Sequence, residues 1–160
     1  MRLTLVAVGK LKAGPDRDLF QRYWDRLEAS GRAVGLTSIT HIELPESRAA
    51  SATERKADEA KRALKASSAD AFVIALDESG KSLTSANFAN HIRRLGESGT
   101  TALSILIGGP DGHDKGIHQR ANLLLNLGTL TLPHGLARIV IAEQLYRATT
   151  ILAGHPYHRV

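Results

Sequence analysis

The sequence closes on His155-Pro156-Tyr157-His158-Arg159, with Val160 beyond. Two imidazoles, a phenol and a guanidinium around a rigid Pro make an unusual set for a chain end, which ordinarily frays. An imidazole accepts or releases a proton near neutral pH, a phenol stacks or hydrogen-bonds, and a guanidinium holds an anion. His158, Tyr157 and Arg159 could do those three things in turn, with His155 beside them.

Three other stretches have a composition suited to ligand contact. "GGPDGH" (Gly108 to His113) combines glycines that admit close backbone approach with Pro110, which fixes a bend. The same residues would equally make a plain turn between a strand and a helix. "LDESGK" (Leu76 to Lys81) and "NLGTLTLPH" (Asn126 to His134) also follow or flank apolar runs. Asp77, Glu78 and Asp111 could bond a hydroxyl or an amine, or steady their own turns. His134 could serve a pocket, an RNA or a nearby carbonyl. Arg138 interrupts an apolar pattern, where it would snorkel, pair, or reach a phosphate or carboxylate across an interface. Glu143 and Arg147 stand at i, i+4 and read as a helix-supporting ion pair.

Several chemistries lack their fingerprints. Neither a P-loop nor a dinucleotide-binding glycine pattern occurs, and there is no G-x-S-x-G elbow. His155-x-x-His158 has no accompanying carboxylate cluster and the chain has no cysteine, so no metal site is expected. The same lack of cysteine leaves no disulfide framework.

These residues need a scaffold, and hydrophobic periodicity supplies one. The 160 residues, 42% of them apolar, suffice for one domain spanning 1–160. Uniformly apolar runs at Leu3–Val8, Ala71–Leu76 and Ala102–Ile107 read as strands buried on both faces, with Leu36–Leu44 as another and Thr129–Leu132 as a last short one. Helical patterns lie between them. Pro15 opens one that carries Phe20, Tyr23, Trp24 and Leu27 on one face and ends at Gly31. A capping box, Ser51 to Glu54, opens a second to about Ala66. Thr84 or Ser85 caps a third to about Leu95, and Pro133 begins the closing one, stopped by Gly154. Strands buried on both faces and alternating with helices predict a mostly parallel α/β sheet, whose ligands bind outside the carboxyl ends of the strands. The net charge of +5 suits a polyanion such as RNA. The first apolar run is too short for a signal peptide and no run would span a membrane, so no membrane partner and a cytoplasmic location are expected.

Taken in order, "VAVGKLK", "LIGGPDG", "TLPHGLARIVIAEQLYRA" and "GHPYHR" resemble one family along the whole chain: the RlmH-type SPOUT methyltransferases, which act on pseudouridine-1915 of 23S ribosomal RNA. The resemblance implies a C-terminal trefoil knot, which periodicity does not reveal because knots run against the usual rules of chain connection. It implies a pocket for S-adenosyl-L-methionine lined by Leu76, Gly108, Leu127, Gly128, Thr129, Leu130, Thr131 and Leu132. It also implies a homodimer in which the tail of one subunit approaches the cofactor of the other, and methylation of N3 on assembled ribosomes. His158 would then be the base or proton relay, Tyr157 would position the uracil ring, and Arg159 would offset negative charge or grip a phosphate. His134, Arg138 and His155 would contact the RNA. Relatives often carry serines where this chain has Asn126 and Gly128, which removes any hydroxyl contact from those positions. Two other classes remain open on the residues: a ribosome- or RNA-binding protein of the same fold without turnover, and a different α/β enzyme acting on an anionic small molecule.

Overall fold

A computed structural model describes residues 1–158. Its strands are β1 (Arg2–Val8), β2 (Ser38–Leu44), β3 (Phe72–Ser82), β4 (Ala102–Ile107) and β5 (Leu123–Asn126), all parallel, in the order β2-β1-β4-β3-β5. The helices are α1 (Pro15–Gly31), α2 (Ala52–Ala66), α3 (Ser85–Glu97), α4 (Lys115–Arg120) and α5 (His134–Leu152). The continuous apolar runs have a simple cause. Alternate strand residues face opposite sides, and each side has its own helices. Leu3, Leu5, Leu103 and Ile105 pack with α1, α3 and α5, whereas Val6, Val73, Ala75 and Leu106 pack with α2 and α4. The result is three layers with two apolar cores.

The aromatic stripe of α1 belongs to the larger core. Phe20 and Trp24 are buried and stacked with ring centroids 5.5 Å apart, and Leu27 lies below them. The Ser51–Glu54 capping box forms as its spacing predicts, and Thr84 caps α3.

Four details differ from the sequence reading. Gly31 stays helical, and Gly35, at φ 86° after a 3₁₀ turn, makes the reversal instead. β3 does not stop at Leu76. Residues 77–80 bulge outward, and Lys81 rejoins β5 opposite Leu125, the residue that Leu76 already pairs with. The bulge depends on Gly80, where a Cβ would stand 2.6 Å from the carbonyl carbon of Leu124. The last strand is Leu123–Asn126 rather than Thr129–Leu132. A run of leucines carries little β preference of its own, and pairing with β3 at the sheet edge decides its conformation. Finally, α4 precedes that strand, started by the Asp114 side chain accepting from the Ile117 N–H at 3.0 Å.

From the edge strand β5 the chain returns through residues 127–133, past the carboxyl ends of β3 and β4, to α5, which packs against α1 and α3. Among the described residues no helix is long and apolar enough to cross a membrane.

His41 of β2 lies against Phe20 and Trp24, at 4.6 and 5.5 Å between ring centroids, with Nε2 unpartnered. Burial, reinforced by Arg138, pushes its pKa down to about 4. A base whose folded pKa is depressed stabilises the fold above its unfolded value near 6.5, and that contribution is lost as pH falls toward the folded value. Urea unfolding should therefore show stability dropping between pH 6.5 and 4 by up to about 3 kcal/mol. A His41→Leu variant should lose much of that pH dependence. An unchanged slope in the variant would remove His41 as its source.

Candidate active site

A cavity of about 470 Å³ opens at the carboxyl ends of β3, β4 and β5. Its walls come from Leu76 to Glu78, Ile107 to His113, Leu125 and Asn126 of β5, and Leu127, Gly128 and Leu130 to Leu132 of the return segment, closed by His134 and Ala137 of α5. All three stretches singled out from composition thus meet in one place. Of the expected cofactor contacts, Leu76, Gly108, Leu127, Gly128, Leu130, Thr131 and Leu132 line the cavity, and His134 sits at its rim. Thr129 is exposed and does not belong to the wall.

The glycine loop is shaped from behind. Gly112, at φ 80°, closes a tight turn by donating to Gly109 O at 2.9 Å. Arg55 of α2 grips Asp111 with two hydrogen bonds, Nε to Oδ2 at 2.7 Å and Nη2 to Oδ1 at 3.1 Å. Those bonds hold the Asp111 carboxyl below the usual carboxylate range. One helical turn on, buried Glu59 accepts from the Ser47 N–H at 2.8 Å and presses the glycine loop, where a Cβ on Gly109 would stand 2.6 Å from its Oε2. Asp111 is thus committed to its loop and not free for a ligand.

The β3 bulge is fixed in the same way. Asp77 accepts from the Ser79 N–H at 2.9 Å and contacts His118 Nε2 at 2.7 Å. Burial pushes its carboxyl up, but the Ser79 and His118 bonds outweigh that and hold it low. Asn126 links the two remaining walls, donating from Nδ2 to Glu78 O and accepting from the Gly128 N–H, both at 2.7 Å. The Asn126 amide thus joins bulge and return segment.

Arg138 does not face an RNA. Its side chain is almost fully buried and bonds Glu43 through Nη1 and the carbonyls of Val8 and Gly9 through Nη2, at 3.3 and 3.0 Å. Glu43 also accepts from the Leu11 N–H at 2.9 Å, so this pair ties α5 to β2 and to the loop after β1. The expectation of a substrate contact fails because both terminal nitrogens are taken up inside the protein, while Nε is buried without a partner.

The tail is fastened, but to its own helix. The Tyr157 hydroxyl donates to Glu143 Oε1 at 3.1 Å, and its ring lies 4.8 Å from that of Tyr146. Burial and the Glu143 carboxylate push its pKa up to about 12. Arg147 stacks over the Tyr157 ring at 4.8 Å, pairs with Glu143 at 2.6 Å, and reaches His158 Nδ1 at 3.4 Å. His155 is exposed and accepts from the Tyr157 N–H at 3.1 Å. Arg159 lies outside the described residues. The expected Glu143–Arg147 pair exists, but it also anchors the tail. Along α5, Glu143 and Arg147 stand about 14 and 20 Å beyond His134, and Tyr157 and His158, held beside them, do not line the cavity.

Comparison with known proteins follows the same boundaries. A family described as "Predicted SPOUT methyltransferase" matches residues 1–158. The chain is 54% identical over 159 residues to a protein of Brucella anthropi named "Ribosomal RNA large subunit methyltransferase H", covering 99% of each chain. Proteins of the same name from Rhizobium meliloti and Brucella abortus are 54% and 51% identical, again with 99% of each chain covered.

The Arg55–Asp111 grip gives a direct test of how the cavity wall is held. Arg55→Ala should speed amide exchange of residues 108–112 by about tenfold while leaving the sheet's protection intact. Hydrogen exchange read by mass spectrometry would show it. Unchanged exchange in the loop would mean that the glycine turn holds itself.

Proposed function

The chain belongs to the SPOUT methyltransferase family, and on that premise we propose that it methylates N3 of a pseudouridine in large-subunit ribosomal RNA with S-adenosyl-L-methionine as donor. The observation that carries this reading is the convergence of three separated motifs on one cavity at the carboxyl edge of a parallel sheet. Named relatives over half identical along their length support the substrate class.

The cavity suits the proposed cofactor. Its volume falls within the range of small-molecule sites. Leu76, Ile107, Leu125 and Ala137 offer apolar surface to a flat ring, while the peptide groups of the glycine loop and return segment are available to polar edges. At Gly108 a Cβ would stand 3.1 Å from the backbone of Gly112, so a side chain there would press on the glycine turn that shapes the cradle. When bound, the cofactor supplies an electrophilic methyl group on a sulfonium. The residues of the chain bind and orient it, exclude water, and align the uracil nitrogen. In this reading the return segment is the threaded part of a trefoil knot, and residues 1–160 act as one domain.

Tyr157, His158 and Arg159 are the proposed groups around the uracil ring. Since the tail does not line its own cavity, a second copy must bring one. The surface supports a homodimer. α5 is apolar on most sides, and two large apolar side chains, Leu130 at the cavity and Leu136 on α5, are 81% and 44% exposed, which favours their being covered by a second copy. His134, at the cavity rim, and His155, on the exposed tail, are then placed to meet RNA. The net charge of +5 favours a polyanion, and without a separate RNA-binding module the chain would read a surface already assembled, the ribosome in the cytoplasm.

Two measurements test this. Calorimetry should show saturable S-adenosyl-L-methionine binding that Gly108→Val weakens at least tenfold. A composite site further predicts complementation: a Gly108→Trp subunit and a His158→Ala subunit, each inactive alone, should regain about a quarter of full activity when mixed as dimers, because half the dimers are mixed and each has one intact site. No binding would sink the pocket, and no recovery would sink the shared site.

A further inference from the structure

The contact between Arg147 and His158 constrains what the imidazole can do. A guanidinium has only N–H donors, so at this contact Nδ1 of His158 is the acceptor. A neutral ring with Nδ1 accepting carries its proton on Nε2. Arg147 is itself held by two bonds to Glu143, Nε at 2.9 Å and Nη2 at 2.6 Å, which leave Nη1 for the ring. Glu143 also receives the Tyr157 hydroxyl, so one carboxylate orders both neighbours of His158.

We propose, building on the methyl-transfer reading above, that Glu143 and Arg147 are positioning residues that set His158 as a hydrogen-bond donor through Nε2–H, and not as the base expected from its residue type. The N3 proton leaves to hydroxide or a solvent base, forming water or the protonated base; N3 then uses the freed electron pair to bond the methyl carbon as the carbon–sulfur bond breaks, its electrons staying on sulfur, so that the donor would leave as a neutral thioether. His158 Nε2–H bonds the uracil carbonyl oxygen over which the negative charge spreads. Tyr157 takes no proton either, since its phenol donates to Glu143. Among the described residues, the charged and titratable groups nearest the ring are Arg147 and Glu143 from α5 and Tyr157 and His155 from the tail, with Tyr23 of α1 beside Tyr157 and Arg26 of α1 over Tyr146. The nearest of these to His158 is Arg147, whose Nη1–H occupies Nδ1 of the ring.

The test is the single-turnover methylation rate on ribosomes from pH 6 to 8.5, with cofactor saturating. A donor predicts a rate that rises about tenfold per pH unit across the whole range, without a break where imidazoles titrate. His158→Gln, which retains an N–H but cannot titrate, should keep the same slope and at least about a tenth of the rate, whereas His158→Ala should lose about a hundredfold. Arg147→Met should introduce a break near neutral pH, as the freed Nδ1 becomes able to take a proton. Calorimetric cofactor binding by each variant verifies that it is folded. A plateau above about pH 6.5 in the unaltered enzyme that vanishes in His158→Gln would overturn the donor assignment alone. No methylation by the unaltered enzyme would overturn the methyl-transfer reading beneath it.

Discussion

One ion pair, between a buried Arg138 and a partly exposed Glu43, organises the cavity edge of this molecule. Arg138, 1% exposed, spends its guanidinium on Glu43 and on two carbonyls of the chain leaving β1. Taking such a pair out of water is costly, and removing one partner from a buried pair typically costs about 3–5 kcal/mol because the other charge is stranded. Here the pair fixes where α5 begins. From that point follow the position of His134 and Ala137 on the cavity wall and the path of the return segment that must reach them. At the far end of the same helix, Glu143 and Arg147 hold the tail. One helix thereby carries a wall of the pocket and the groups proposed to act on the substrate, with its length keeping them apart.

The scaffold was legible where burial is uniform. Leu3–Val8 and Ala102–Ile107 are apolar at every position because both faces of the sheet are covered, and their bounds agree with the observed strands to within a residue. Caps were legible too, since Ser51 and Thr84 satisfy helix-start N–H groups by chemistry local to the sequence. The errors fell where tertiary pairing overrides local preference. "LLLN" becomes a strand only because β3 offers a free edge, and residues 81–82 rejoin that edge only because Gly80 lets two backbones touch. Asp114 three residues before Ile117 was a local signal for α4, available in the sequence and not used.

For the candidate site, residue type pointed to loops that meet in one cavity but not to what fixes them. The cavity-lining residues lie where glycines and strand ends predicted, with Thr129 the exception. Asp111 and Arg138 were read as possible ligand contacts, yet both are consumed by partners 56 and 95 positions away. Arg55, Glu59, Glu43 and Asn126, which hold the walls, resemble ordinary surface polar residues in the sequence. Only i, i+4 spacing links Arg55 to Glu59, and that spacing reads first as helix support.

The packing of α5 also has a consequence for how the chain comes to be folded. This helix covers α1 and α3 and supplies Ile139, Ile141, Ala142, Leu145 and Ala148 to the larger core, yet it is synthesised after everything it covers. At about 5–20 residues per second, the apolar faces of the earlier elements stay bare for seconds while the return segment and α5 are made. The smaller core, closed by α2 and α4, can settle during that interval; the larger one cannot. Nascent chains stalled before Ile139 should therefore be the forms that chaperones hold and proteases find, whatever the stability of the finished protein.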